Sequence, residues 1–473
     1  MKQRSHLLLL ATLVSASAWG QEVTVNSTSM VQYWKEEVPG FDKKTFTPVT
    51  QYLDVDATKL GSDGLSMHLY GWGMADLSDS SLLSGKKSDG YLTYGYLDYR
   101  FAQANAEIKG GRFLVNQGVA IEQVDGISAR TDLAGGFTIS VFGGRPVRYR
   151  TANAAAQSDY EFQNDFIFGS RLSTRVLSFG EVGLSFLQDG TKPAKDLPIP
   201  SQVDYTRKQV GLDFRLSPVS SVDLSGRTVY DMASRPEAIT NQDKTPSRVA
   251  EHDYTATVKL ASNLSVSGNF TERNFQAYFA GTNLPSLFNQ VERDAHRAYE
   301  GRVTWSPVTA FQVVTDYRHT HRDTYGDADR FGLEGRWTVS ELKLQTGLGY
   351  HKVNADDARS TSAILPGPPL PGAQAATYGL THAEVRGWVM YTGSLISGSL
   401  DGIFQNFKDS ANPQLNGRGT IYQLVGSLGL QSTSNLKFSA DVSYGSDPLY
   451  FKELRGLLRV EYRFGTAGKG GSK

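Results

Sequence analysis

The chain alternates apolar and polar residues in short segments along its whole length, and this period of two constrains its fold more than any other feature. Within residues 435–444 the even positions are apolar and the odd positions are polar. Successive side chains of a β-strand point to opposite faces, so such a segment has one apolar face and one polar face. The same division recurs at 212–216, 254–260, 299–305, 331–339, 342–350 and 454–464. The pattern predicts an all-β fold, a single closed antiparallel transmembrane β-barrel with lipid outside and water inside.

The N-terminus has the three parts of a secretory signal peptide. Lys2 and Arg4 supply positive charge, residues 7–14 form a short apolar stretch, and small residues within 16–20 provide a cleavage zone. We therefore expect residues 1–20 to be removed on export. No later stretch reaches the roughly 20 apolar residues that a membrane helix needs.

Composition excludes several classes of function. Basic and acidic residues number 48 each, so the chain lacks the positive charge that nucleic-acid binding requires. It contains no cysteine, which excludes disulfides, thiolate metal sites and covalent attachment of c-type haem. Hydrophobic residues make up only 39% of the chain and the mean hydropathy is −0.35. Both values agree with a barrel, because apolar residues are needed only at alternate strand positions.

The mature chain is long enough for a wide barrel. Counting from a first strand at 28–38 to a last strand at 451–464 gives about 22 strands, an even number, as single-chain bacterial barrels require. Short turns alternate with longer polar stretches, which predicts short periplasmic turns and long extracellular loops.

The wall of this barrel uses residues 21–464, so we expect no plug domain inside it. Residues 465–473, rich in glycine and lysine, are expected to form a flexible C-terminal tail. The proline-rich segment 365–371 is a candidate for partial closure of the lumen, with an exposed irregular loop as the alternative.

The polar face carries acidic residues that are followed two positions later by basic residues. A spacing of two keeps both members on one face of a strand. They would line a hydrated lumen with mixed charge, or form ion pairs that stiffen the wall. The predicted pore-lining residues are Asp98, Arg100, Glu107, Lys109, Asp213, Arg215, Glu300, Arg302, Asp316, Arg318, Glu334, Arg336, Arg459, Glu461 and Arg463.

No metal, cofactor or catalytic site emerges from the sequence. His319 and His321 share one side of a strand and could pair on a metal, but their phase is that of Phe311 and Tyr317. We therefore assign them to the lipid-facing row near the outer interface. No arrangement of histidines and serines indicates a nucleophile with its base, so we do not expect an enzyme.

The signal peptide, the alternating strands and the last strand at 453–464 make the chain resemble porin-like outer-membrane β-barrels of Gram-negative bacteria. That resemblance implies a location in the outer membrane, contact with its lipid and insertion by the barrel assembly machinery, which recognises a terminal aromatic residue. Phe464 matches that residue, although a tail follows it. Glycine-rich stretches at 110–126 and 135–144 give a weaker resemblance to the barrel component of porin-cytochrome conduits.

Two functions follow from these observations. The first is a porin-like conduit through which small polar solutes or ions cross the outer membrane. The alternative, implied by the weaker resemblance, is a structural sheath around multihaem c-type cytochromes in an electron-transfer complex. The predicted strand number favours the sheath, because diffusion porins have fewer strands, whereas the conduit needs no partner protein.

Overall fold

The described part of the chain is almost entirely β-strand. The computed structural model describes residues 22–37, 43–78, 88–147, 165–176, 178–191, 205–232, 248–274, 296–322, 326–356, 381–408, 418–446 and 452–465. These ranges form 23 strands of one sheet, with three single-turn 3-10 helices in short connections. The signal peptide, the proline-rich segment 365–371 and the tail from 466 onward lie outside the described residues.

Apart from β2, which has 3 residues, the strands are 10 to 16 residues long. The first eight are β1 (Glu22–Glu37), β2 (Lys44–Phe46), β3 (Pro48–Thr58), β4 (Leu65–Asp76), β5 (Ser88–Phe101), β6 (Ala106–Gln117), β7 (Ala120–Leu133) and β8 (Phe137–Pro146). The next eight are β9 (Asp165–Val176), β10 (Gly180–Thr191), β11 (Tyr205–Val219), β12 (Val222–Asp231), β13 (Arg248–Ala261), β14 (Leu264–Arg273), β15 (His296–Val308) and β16 (Phe311–Arg322). The last seven are β17 (Ala328–Val339), β18 (Leu344–Ala355), β19 (His382–Thr392), β20 (Ile396–Phe407), β21 (Thr420–Thr433), β22 (Leu436–Ser446) and β23 (Lys452–Gly465).

The sheet closes on itself. Each strand pairs antiparallel with its neighbours in sequence, and β1 pairs with β23 from Thr24↔Gly465 to Glu37↔Lys452. The three-residue β2 pairs only with β1, beyond the end of the β1–β3 ladder, so β2 and β3 together occupy one position in the wall. The result is a closed antiparallel barrel of 22 strands, which confirms the predicted all-β closed barrel and its strand number. The first strand begins at Glu22, earlier than the sequence pattern indicates.

One face of the closed sheet is apolar and exposed. Large hydrophobic side chains repeat at every second position along most strands and keep high exposure, as Leu184, Leu348 and Leu458 illustrate. Leucine is the commonest residue in this row, and valine, isoleucine, tyrosine and phenylalanine, which favour extended backbone, make up most of the rest. No helix in the described ranges is long and apolar enough to cross a membrane.

The opposite face is the concave one. Arg171 of β9 bonds to Asp213 of β11 across the intervening β10, with Nη2–Oδ1 at 2.6 Å. Likewise Tyr94 of β5 donates to Asp54 of β3 across the intervening β4, with Oη–Oδ1 at 3.2 Å. Side chains two strands apart converge in this way only on the inside of a curved sheet, so the charged face lines the lumen.

Candidate functional site

A hairpin inside the barrel is the main departure from a plain wall. The strand β6 pairs with β5 only from Ala106 to Arg112, and β7 pairs with β8 only as far as Val124. Residues 113–123, which we call the lumen hairpin, have no ladder partner in β5 or β8 and pair with β6 and β7 residues across a turn at Gly118 and Val119. At the base of the hairpin the Gln123 carbonyl still accepts from the N–H of Val147 at 2.8 Å. The contacts of the lumen hairpin show its position relative to the wall.

The lumen hairpin reaches strands far along the wall. The backbone N–H of Val119 donates to Ser185 Oγ of β10 at 3.0 Å. Glu122 accepts a hydrogen bond from Arg207 of β11, which also bonds both carboxylate oxygens of Asp189 at 3.1 and 3.2 Å. Because these partners belong to the concave face, the hairpin folds into the lumen and lies against its inner surface.

Apolar packing holds the hairpin in this position. Phe113, Val115, Val119, Ala120 and Val124 are all buried. The same cluster contains wall residues of β8, β9, β10, β12 and β13, namely Phe142, Ile167, Leu187, Val229 and Ala250. One face of the hairpin thus meets the wall as in a two-sheet core. Its other face points away from that wall, towards the rest of the lumen.

Two glycines permit this path. Gly111 has φ +128°, and a Cβ there would lie 2.8 Å from Tyr96 Cα, so a larger residue would both strain the backbone and contact β5. Gly118 has φ +59° at the turn, where a Cβ would collide with the side chain of Ser185 and lie 3.2 Å from Asp213 Oδ2. The first glycine marks the departure from β5, and the second fits the tip against β10.

Side chains close the seam that the departing strand leaves. Arg112 Nη1 donates to the carbonyl oxygen of Leu92 at 2.9 Å, and the Gln123 amide donates to the carbonyl oxygen of Thr93. Arg112 is itself held by Asp125 through two bonds of 2.6 and 2.7 Å. The carbonyl oxygens of β5 at Leu92 and Thr93 have no N–H partner in β6, because the ladder ends at Gly95. The two side chains supply the missing donors.

The fifteen predicted pore-lining residues all lie on the concave face. Strand registers connect them: Asp98 and Arg100 oppose Lys109 and Glu107, and Arg302 opposes Asp316. Registers place the others on the same face, namely Asp213, Arg215, Glu300, Arg318, Glu334, Arg336, Arg459, Glu461 and Arg463. Their part in permeation stays a prediction, because position on a face does not show what passes it.

Only some acidic residues contact the basic residue two positions later. The spacing is realised at Glu107–Lys109, Glu300–Arg302 and Glu334–Arg336, with N–O distances of 2.7, 2.9 and 2.8 Å. Elsewhere the carboxylate takes a different partner: Asp213 with Arg171, Asp316 with Arg330, Glu461 with Arg459, and Asp98 with His68. The concave curvature offers partners on nearby strands that the sequence pattern does not reveal.

A cavity of about 690 Å³ lies on the inner wall at the short-turn end of β9, β10 and β11. Its charged lining residues are Arg171, Arg175, Glu181, Asp213 and Arg215. Arg171 bonds both carboxylates, with Glu181 Oε1 at 2.8 Å. The tip of the lumen hairpin adjoins this cavity through the approach of Gly118 to Asp213.

The two histidines behave as their phase predicts. His319 and His321 lie on the exposed apolar face with Tyr317, and each bonds an aspartate, Asp329 at 2.9 Å and Asp327 at 2.6 Å. Within the described ranges no group of three or more His, Cys, Asp or Glu side chains could hold a metal ion.

The sequence analysis missed the lumen hairpin, although the sequence contains a signal for it. At Phe113, Leu114 and Val115, and again from Val119 to Ile121, apolar residues occupy both faces. A strand with apolar residues on both faces is typical of one that packs on both sides or leaves a one-sided wall. Those residues were included in the glycine-rich stretches as part of the wall.

No protein-family model and no curated protein matches the chain. Among solved structures, a mutant of the ferric enterobactin receptor PfeA from Pseudomonas aeruginosa aligns with TM-score 0.54 and 9% identity, over 94% of this chain and 80% of that one. The outer membrane protein OpdK from the same species gives 0.44 and 10%, over 94% and 99%. The translocation pore of the P pilus usher PapC gives 0.47 and 8%, over 94% and 100%.

These likenesses concern the fold. The alignment with the PfeA structure extends over most of both chains, and the chain has the fold of Gram-negative outer-membrane β-barrels. At identities of 8 to 10%, none of them assigns a solute or a partner.

Proposed function

We propose that this protein is a channel of the bacterial outer membrane through which small polar solutes or ions diffuse. The observation that supports the proposal is that one closed wall has an apolar outer face and a charged inner face. The outer face presents exposed apolar side chains along most strands, which suits lipid, and the inner face presents charged groups, which suit water. In this setting residues 1–20 act as the export signal.

The inner charges are accessible to water. The side chains of Arg302, Arg386 and Arg455 keep 50%, 50% and 57% of their exposure although each contacts a carboxylate. A barrel of this strand number has a backbone diameter of roughly 40 Å, from the strand spacing and the usual tilt. The lumen hairpin narrows that space on one side, as an internal constriction would.

The experiment uses protein purified from its native membrane in mild detergent and reconstituted in planar lipid bilayers. We expect stepwise, ohmic currents in potassium chloride from material that contains no haem. The absence of current would overturn the channel. Multihaem cytochrome that co-purifies in stoichiometric amount, with current only after its removal, would instead establish the sheath as the primary role.

A further inference from the structure

The wall beside the lumen hairpin carries a row of aromatic rings on its inner face. Tyr52, Tyr70, Tyr94 and Tyr96, which we call the tyrosine row, lie on β3, β4 and β5 and are each partly exposed. Neighbouring ring centroids are 6.2, 5.3 and 6.0 Å apart, with interplanar angles of 15°, 28° and 50°. The row continues to Phe113 at the base of the hairpin, 6.4 Å from Tyr96.

The lumen side of the hairpin carries two large aliphatic side chains beside the polar Asn116 and Gln123. Leu114 and Ile121 alternate with the buried cluster residues, so they face away from the wall that the hairpin packs against. They retain 65% and 54% exposure. Exposure of large aliphatic side chains to water is unfavourable. A pathway for purely polar solutes therefore does not explain their presence here. The tyrosine row reaches the hairpin on its wall side at Phe113, so the constriction has apolar groups on both sides of the hairpin.

The charge next to these apolar groups is negative. Asp54 accepts hydrogen bonds from Tyr94 Oη at 3.2 Å and Asn26 Nδ2 at 3.3 Å. Asp56 and Asp98 both bond the ring of His68, and the side chain of Asp56 keeps 40% exposure. Beside them on β5 and β6 lie Glu107 with Lys109, and Arg100. With the neighbouring pairs Arg112–Asp125 and Arg130–Asp132 included, six carboxylates face four permanently basic side chains.

We infer that the constriction selects amphipathic organic cations, meaning solutes with an aromatic or aliphatic body and a positively charged group. The body packs against Leu114, Ile121 and the tyrosine rings, whose faces attract cations, and the carboxylates favour the positive charge. The inference rests on the proposed channel function and names its class of solute. The carboxylates determine only the sign of the charge, because the aromatic and aliphatic surface is what distinguishes these solutes from inorganic ions.

The test measures block of the potassium current in planar bilayers by three probes. Benzyltrimethylammonium has both an aromatic body and a positive charge, tetramethylammonium lacks the ring, and benzoate reverses the charge. We expect benzyltrimethylammonium to reduce the current at concentrations at least tenfold lower than either of the others. Equal block by all three probes, or no block, overturns the inference while leaving the channel intact. The absence of any current overturns both.

Variants locate the site. Tyr70→Leu with Tyr94→Leu removes the rings but keeps an apolar wall, and we expect block to weaken at least tenfold. The matched control is Tyr350→Leu, on the exposed outer face of β18, which should leave block unchanged. Asp56→Asn should weaken block, whereas Asp441→Asn, on the inner face of β22, should not. If block is not weakened in the tyrosine and Asp56 variants, the assignment of the site to these residues is overturned. The comparison of the three probes on the unmodified protein does not depend on the variants.

Discussion

Releasing the lumen hairpin from the wall should enlarge the channel, and Phe113→Ala is the substitution that does this with least other change. Phe113 is only 2% exposed and packs in the cluster that fixes the hairpin to β8–β13. Truncating a buried phenylalanine costs about 3–5 kcal/mol. If that cost falls on docking, the ratio of docked to released hairpin decreases roughly 10²- to 10³-fold, because each 1.4 kcal/mol is a factor of ten.

The change in conductance follows from the size of the hairpin. Each of its strands contributes five residues, Phe113 to Gln117 on one side, or about 17 Å of extended chain. Packed at about 10 Å from the wall, it obstructs on the order of 170 Å². A lumen of roughly 30 Å inner diameter has a cross-section of about 700 Å². Release should therefore raise the conductance by roughly a third, from an open area of about 530 Å² to about 700 Å².

Single-channel recording measures this effect as a second, larger current level that Phe113→Ala visits and the unmodified protein rarely does. Leu114→Ala is the matched control, since the neighbouring side chain is 65% exposed and makes no contact in the docking cluster. We expect no new level from it. The reasoning is refuted if both variants behave alike, or if Phe113→Ala folds as a barrel and shows one unchanged level.

Three further predictions follow from the ion pairs and glycines. Arg207→Met removes the bonds from Arg207 to the carboxylate of Asp189, which is 5% exposed, and should lower the free energy of unfolding by about 3–5 kcal/mol in a urea titration. Glu122→Gln, which keeps the Arg207–Asp189 pair, should cost less in the same titration. Gly111→Ala should reduce the yield of heat-modifiable folded barrel on electrophoresis, and Gly73→Ala, with nothing within 4 Å of the added Cβ, should not. Lys59 lies in the turn after β3, and its Nζ bonds the carboxylate of Glu22 at 2.7 Å. That bond raises the pKa of Lys59, so less of its amine is neutral in mildly alkaline buffer. Acylation of Lys59, read by mass spectrometry, should accelerate in Glu22→Gln; an unchanged rate would contradict the pairing.

The closed wall could be predicted from sequence because its information is local. In β22 the alternation from Leu436 to Tyr444 fixes which side chains share a face, whatever lies on either side of the strand. The same rule placed His319 and His321 on the exposed face. Strand number followed from repetition, and the ends of the strands were less well defined, since β1 begins before the first clear alternation.

The lumen hairpin could not be predicted by the same rule, because its distinguishing feature is non-local. The side chain of Phe113 has the phase of any inward residue. The residues next to it in sequence do not indicate that it packs against Phe142 and Leu187 and not against water. The apolar residues on the other face, Leu114 and Ile121, fit lipid equally well in a wall position. Only the loss of pairing with β5 and β8 changes what each face contacts.

The ion pairs show the same division between local and non-local information, with a consequence for the channel. Glu300 and Arg302 meet because a spacing of two places them side by side on β15. Asp213 instead bonds Arg171, two strands away, because a closed sheet brings alternate strands together on its concave side. Partners of this second kind connect three neighbouring strands. They therefore stabilise the curvature of the wall in addition to balancing its charge. Charge reversal at Asp213 should therefore disturb the shape of the lumen near the hairpin tip, whereas reversal at Glu300 should change only the local field.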